Sequence, residues 1–222
     1  MPLFYQHNIN EHTRLGIWKI EEPEIFFLTK VPLNRQVSHP HKRLQHLAGR
    51  YLLPSLFADF PLEEIVIADT RKPYLENEKY HFSISHCGQF AAAMVSDSFR
   101  VGVDIEVVTE KIKSIQHKFL FQDEYELASA SWKNLSEQRS NQQDPDLRLL
   151  TLLWSSKEAI FKWYSLGNMD FKEDMRLIDP ILPQEDEEFI LRFEFSKSGL
   201  IHVNIHGKFF PEIILAWVMM DI

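Results

Sequence analysis

Residues 102 to 106 read Gly-Val-Asp-Ile-Glu. In an extended backbone side chains alternate between two faces, so Val103 and Ile105 point one way and Asp104 and Glu106 the other. Val101 continues the apolar face. The two carboxylates stand about 6 to 7 Å apart by strand rise, close enough to converge on one cation. Gly102 lets a ligand approach the backbone. Hard oxygen ligands in small number suit magnesium, which takes one or two protein carboxylates and fills its octahedron with water and substrate phosphate. Alone, Asp-x-Glu equally describes a half-exposed strand whose acids face water. The segment therefore fixes a strand in the middle of the chain and leaves its chemistry to its surroundings.

Working back from this strand, EEIVIAD (63 to 69), YHFSIS (80 to 85) and FAAAMVS (90 to 96) are short apolar runs bounded by Gly, Pro, Asn or Asp, and read as strands. Leu44, Leu47, Ala48, Tyr51, Leu52 and Leu56 recur at three- and four-residue steps, which predicts an amphipathic helix showing Lys42, Arg43, Gln45 and Arg50 on its other face. LGIWKI and EIFFLTKV, within residues 14 to 31, flank Glu21, Glu22 and Pro23 and predict a two-stranded hairpin.

Working forward, a strand at 101 to 107 is followed by helices near 112 to 131 and 147 to 166, then strands near 188 to 196, 200 to 207 and 212 to 220. The polar stretch 133 to 148 reads as an exposed loop. The repeated order of elements predicts an α+β protein of two related halves, residues 1–100 and 101–222.

Two further segments carry chemistry. In WSSKEAIFKWYS (154 to 165) Glu158 and Lys162 lie four residues apart on one helix face, with Lys157 beside it. As a pair this is a common surface ion pair; beside Asp104 and Glu106 it supplies a third carboxylate and a cation for phosphate charge. RKPYL (71 to 75) and FSISHCGQF (82 to 90) place Lys72, Ser85 and His86 at strand ends, where donors can converge on a polyanion, although each also reads as a structural or surface residue. The lone Cys87 has no identified activating partner and receives no catalytic role.

Composition narrows the setting. With 222 residues, 45% of them hydrophobic, and 17 Phe and 5 Trp, the chain can bury a substantial core. One cysteine permits no internal disulfide, and the N-terminus lacks the charged start and apolar run of a signal peptide, so the cytoplasm is expected. The apolar run from Ile213 to Met220 is far short of the roughly 20 residues that cross a bilayer, so no membrane association is expected. A net charge of −8 argues against a nucleic-acid partner.

The Lys-Pro turn (72 to 73), F-S-I-S-H (82 to 86), G-V-D-I-E (102 to 106), KFLFQDEYELA (118 to 128) and W-S-S-K-E-A (154 to 159) occur in this order across residues 40 to 170. Together they resemble the 4'-phosphopantetheinyl transferase superfamily, in its two-domain, surfactin-synthetase-activating class. The resemblance implies two similar α/β halves related by a pseudo-twofold, with a ligand cleft between them. It implies magnesium-dependent transfer of 4'-phosphopantetheine from coenzyme A to a serine of an apo acyl or peptidyl carrier protein, releasing 3',5'-ADP. The metal ligands would be Asp104, Glu106 and Glu158. Glu158 would also act as base, directly or through a metal-bound water, and Lys162 would stabilise or protonate the leaving group. Arg43, Lys72, Ser85, His86 and Lys157 would meet coenzyme A, with Arg50, Lys30 and Arg35 as weaker candidates. The family's two-halved members imply a monomer.

Carrier proteins are acidic as a class, so a local patch must overcome the negative net charge; residues 111 to 125, with Lys111, Lys113, Lys118, Phe119, Leu120 and Phe121, are the candidate, the aromatics reading equally as helix core. Arg71 stands where many members have glycine, and Cys87 where serine is frequent. The same residues also admit two other readings: a non-catalytic module binding coenzyme A or a carrier protein, and a different magnesium-dependent phosphoryl enzyme.

Overall fold

The protein is described by a computed structural model covering residues 3–32, 37–136 and 144–221. Its helices and antiparallel sheets make it α+β, and the chain divides into two compact units. The first comprises Met1–Ile105, Lys162–Ser165 and Met219–Ile222, and the second Glu106–Phe161 and Leu166–Val218.

In the first unit the strands are β1 (Leu3–Asn8), β2 (Thr13–Lys19), β3 (Ile65–Ile67), β4 (Pro73–Leu75), β5 (His81–Cys87), β6 (Phe90–Ser96) and β7 (Phe99–Glu106). Its helices are α1 (Glu24–Leu28) and α2 (Pro40–Leu56). An antiparallel sheet runs β1-β2-β6-β5, and β3 pairs with β4 in a separate hairpin. Every residue of β6 is buried, which explains its unbroken run of small and apolar side chains.

α2 covers this sheet with Leu47, Ala48, Leu52, Leu53 and Leu56. Pro40 sits in its first turn, where the missing N–H costs nothing, and His39 Nδ1 accepts the Lys42 N–H at 3.5 Å. Gly49 marks the closest approach: a Cβ there would lie 2.6 Å from Cγ2 of Ile84 on β5. Gln45, expected on the outer face, is instead buried and donates to the Gly88 carbonyl at 2.8 Å.

The hairpin expected between LGIWKI and EIFFLTKV does not form. β2 pairs with β1 and β6, and EIFFL is the short helix α1. Phe27 is fully buried there and meets Trp18 and Tyr51 edge-on. Burying such a ring is worth about 1.5–3 kcal/mol, enough to override a local preference for strand.

In the second unit, α3 (Lys111–Ile115), α4 (Gln122–Ser136) and α5 (Pro145–Tyr164, whose last residues belong to the first unit) precede β8 (Met175–Leu177), β9 (Leu182–Pro183), β10 (Glu188–Phe195), β11 (Ile201–Phe209) and β12 (Ile214–Asp221, whose last residues likewise belong to the first unit). β12, β11, β10 and β8 form an antiparallel run, with β9 also on β10. Phe189, Leu191, Phe193 and Phe195 alternate onto the buried face of β10. Opposite Phe189 stands Gly207, where a Cβ would lie 2.6 Å from Cδ1 of Leu152, so α5 rests directly on β11. The polar stretch expected as a loop is largely helical at its ends: α4 extends to Ser136 and α5 starts at Pro145, while residues 137–143 lie outside the described residues.

A buried ion pair organises this unit. Lys157 on α5 donates to Glu124 of α4 at 2.8 Å, and both side chains are essentially inaccessible. Breaking such a pair by removing one partner leaves an uncompensated buried charge and costs about 3–5 kcal/mol.

Candidate functional site

Ser85, near the end of β5, and Asp104, on β7, are both buried. The Ser85 hydroxyl donates to Asp104 Oδ1 at 2.8 Å and accepts the Ile105 N–H at 3.3 Å; one strand turn earlier, Ser83 Oγ accepts the Val103 N–H at 3.1 Å. The alternating serines of F-S-I-S-H thus tie β5 to the carboxylate strand, a role the sequence reading did not give Ser83.

Lys162, in the last turn of α5, places Nζ 2.6 Å from Asp104 Oδ1 and 2.8 Å from Ser85 Oγ. Lysine, carboxylate and hydroxyl form a closed triangle. Each contact with an ionised group is short and charge-assisted, the kind of hydrogen bond that holds an anion-handling group in one orientation.

Lys72 turns to the end of the same helix and donates to the Lys162 carbonyl and to Ser165 Oγ. Carbonyls of the last turn have no partner inside the helix, so the ammonium acts as a C-terminal cap. Burial, joined by the positive charge of Arg100, pulls the Lys72 ammonium down to about 8. Arg71, just before it, has φ +67°, a left-handed conformation that favours glycine.

His86 rests edge-on against His46, ring centroids 5.0 Å apart, and burial is the main cause that depresses its pKa. Arg43 is engaged by Glu24 through a two-pronged pair, Nε to Oε1 at 2.6 Å and Nη2 to Oε2 at 2.8 Å, and by the Val37 carbonyl. Among the weaker candidates, Lys30 lies over the Phe26 ring, Arg50 is half-buried on α2, and Arg35 lies outside the described residues.

Within the second unit, Glu106 at the end of β7 accepts the Trp154 indole N–H at 3.3 Å. Trp154, Glu158 and Phe161, at i, i+4 and i+7 on α5, line a pocket of about 560 Å³ closed by Ile115, Lys118, Met169, Asp170 and Phe171. Its walls are mostly aromatic and aliphatic, with a few charged groups at fixed places, the general make-up of a small-molecule site.

Lys157, placed among the coenzyme A contacts, is buried with its donors spent on Phe119 O, Glu124 and Phe171 O. Of the docking segment 111–125, Phe119 and Leu120 belong to the core; Lys111, Lys113 and Lys118 are exposed, and Phe121 is half-buried with Lys172 and Arg176 over its ring.

Among the described residues, no group of three or more His, Cys, Asp or Glu side chains is gathered so as to hold a metal ion, and no helix is long and apolar enough to cross a membrane.

Asp104 and Lys162 of this arrangement lie within a stretch that a family model matches, whereas Ser85 lies before it. The "4'-phosphopantetheinyl transferase superfamily" model covers residues 100–212, just over half the chain, and the protein belongs to this superfamily. It is also similar to "4'-phosphopantetheinyl transferase AcpT" of Escherichia coli (strain K12), 30% identical over 131 residues, which are 59% of this chain and 62% of that protein. The Salmonella typhimurium protein of the same name is 29% identical over 124 residues, 54% of this chain and 58% of its own. The chain thus spans about three fifths of the length of the curated relatives it matches.

Proposed function

We propose that this protein transfers the 4'-phosphopantetheine group of coenzyme A to a serine of an apo acyl or peptidyl carrier protein, with release of 3',5'-ADP. The observation that carries the reading is membership of the superfamily over residues 100–212, the span that holds Asp104, Glu106, Glu158 and Lys162. The relatives named as transferases support it.

In this reading Asp104, Glu106 and Glu158 would hold a magnesium ion. The donor chemistry fits: all three are hard oxygen ligands, and magnesium needs only one or two protein carboxylates beside water and phosphate. Bound there, the ion would supply charge neutralisation for the diphosphate. Glu158, facing the pocket, takes the proton of the incoming serine hydroxyl. Lys162, oriented by Ser85 and Asp104, meets the charge that develops on the departing 3',5'-ADP. Lys72, His86 and Arg43 belong to the coenzyme A side of the site. The acidic carrier docks on the exposed lysines 111, 113 and 118, and the protein works as a cytoplasmic monomer.

The test is incubation with coenzyme A, magnesium and an apo carrier protein, followed by intact-mass measurement. A carrier heavier by one phosphopantetheine group is the expected result. Cleavage of coenzyme A without a carrier would replace this reading with hydrolysis, and binding without any reaction would replace it with a non-catalytic module.

A further inference from the structure

Lys157 follows Leu153 and precedes Ile160 along the apolar stripe of α5, an uncommon place for an ammonium. It has three protons to donate, and it gives them to Phe119 O at 2.6 Å, Glu124 Oε1 at 2.8 Å and Phe171 O at 3.0 Å. One of those acceptors, Phe171, lines the 560 Å³ pocket, and a second, Phe119, adjoins a lining residue. Phe119 directly follows the lining residue Lys118; Phe171 lines the pocket itself, next to Asp170 and Met169; and α5 supplies Trp154, Glu158 and Phe161.

The acid that completes the arrangement is equally fixed. Glu124 Oε1 also accepts the Leu177 N–H at 2.9 Å, and Oε2 accepts the Phe121 N–H at 3.0 Å. On the far wall, Asp170 Oδ1 accepts the backbone N–H groups of Lys172 and Glu173, so the segment arrives at Phe171 as a preformed turn. One ammonium thus ties three segments together from behind, and the residue next to it, Glu158, faces the cavity.

We infer that the Lys157–Glu124 pair is a positioning device that sets the width of the pocket around Glu158, and that Lys157 makes no contact with coenzyme A. The inference rests on the proposed transfer activity. It differs from a stability role in kind, because misplacing Glu158 and Phe171 by a fraction of an ångström changes the rate of the chemical step more than the binding of the substrate.

The variants Lys157→Met, Glu124→Gln and the double substitution are compared with the wild type at a temperature where near-ultraviolet circular dichroism shows each to be folded. Lys157→Arg, which keeps the charge but not the three-way geometry, takes the place of any variant that fails to fold. Each single variant is expected to lower kcat about tenfold or more while KM for coenzyme A stays within about threefold. The double variant should be no slower than the poorer single one, because both break the same link. Wild-type kcat in Glu124→Gln overturns the inference. So does a tenfold rise in KM with kcat unchanged in Lys157→Met, the mark of a lost phosphate contact. Amide exchange supplies a readout independent of turnover: residues 118–121 and 169–173 should lose protection together in both single variants. If the wild type transfers nothing, the transfer reading falls, and unchanged exchange would by itself dispose of the positioning pair.

Discussion

The ammonium of Lys162 lies 2.6 Å from Oδ1 of Asp104, and Ser85 bridges the two, donating to the same oxygen at 2.8 Å. Asp104 is therefore buried and paired. Lys162→Met should remove both the charge proposed to meet the leaving group and the partner of a buried carboxylate. Transfer is expected to fall at least about a hundredfold, and unfolding free energy by about 1–3 kcal/mol. Denaturant titration alongside the mass assay checks both. Unchanged stability would show the pair to be energetically idle.

Glu158 makes the contrasting case, since it is half-buried on a pocket wall. Glu158→Ala should abolish transfer while shifting stability by no more than about 0.5 kcal/mol, as for a residue outside the core. Wild-type turnover in this variant would remove Glu158 from the chemistry.

Arg71 holds φ +67° in the turn between β3 and β4, where its N–H goes to Ala68 O and the Lys72 carbonyl accepts the Ala68 N–H. Arg71→Gly relieves a left-handed strain of roughly 1–2 kcal/mol and adds chain entropy to the unfolded state, so the two effects nearly cancel and the melting temperature should barely move. Arg71→Val, with a branched Cβ, should destabilise by more than about 1 kcal/mol.

His86 and His81 both have pKa values depressed chiefly by burial. Their folded values lie below the unfolded one, so on acidification the unfolded chain binds protons first, and stability present above about pH 6.5 is lost as the pH falls below it. Urea midpoints measured between pH 7.5 and 5 should decline, and the slope should be shallower in His86→Gln. Parallel slopes in the two proteins would assign the acid sensitivity elsewhere.

Much of this was legible from patterns of local period. FAAAMVS is β6 residue for residue, and G-V-D-I-E is the second part of β7, because an alternating or wholly apolar short run has few alternatives to a strand. EIFFL misleads because Ile and Phe favour strands on a pleated surface, whereas here Phe27 is buried from a helical turn against Trp18 and Tyr51. β1, with its mixed polar sequence LFYQHN, gave no periodic signal and exists through pairing with β2. The Lys157–Glu124 pair spans 33 residues, a separation at which no local rule operates. Its one trace in the sequence is a lysine on the apolar stripe of α5, a position that a charge can hold only with a buried partner. The roles of Ser83 and Ser85 likewise required knowing that β5 lies beside β7.

Lys72 caps the last turn of α5 through the Lys162 carbonyl and Ser165. An incoming anion that recruited this ammonium would leave those carbonyl and hydroxyl groups to water, so loading of the substrate and fraying of the helix end would be thermodynamically linked. The amides around Lys162–Ser165 would then serve as a built-in gauge of occupancy, and Lys162 would gain reach at the moment the anion arrives.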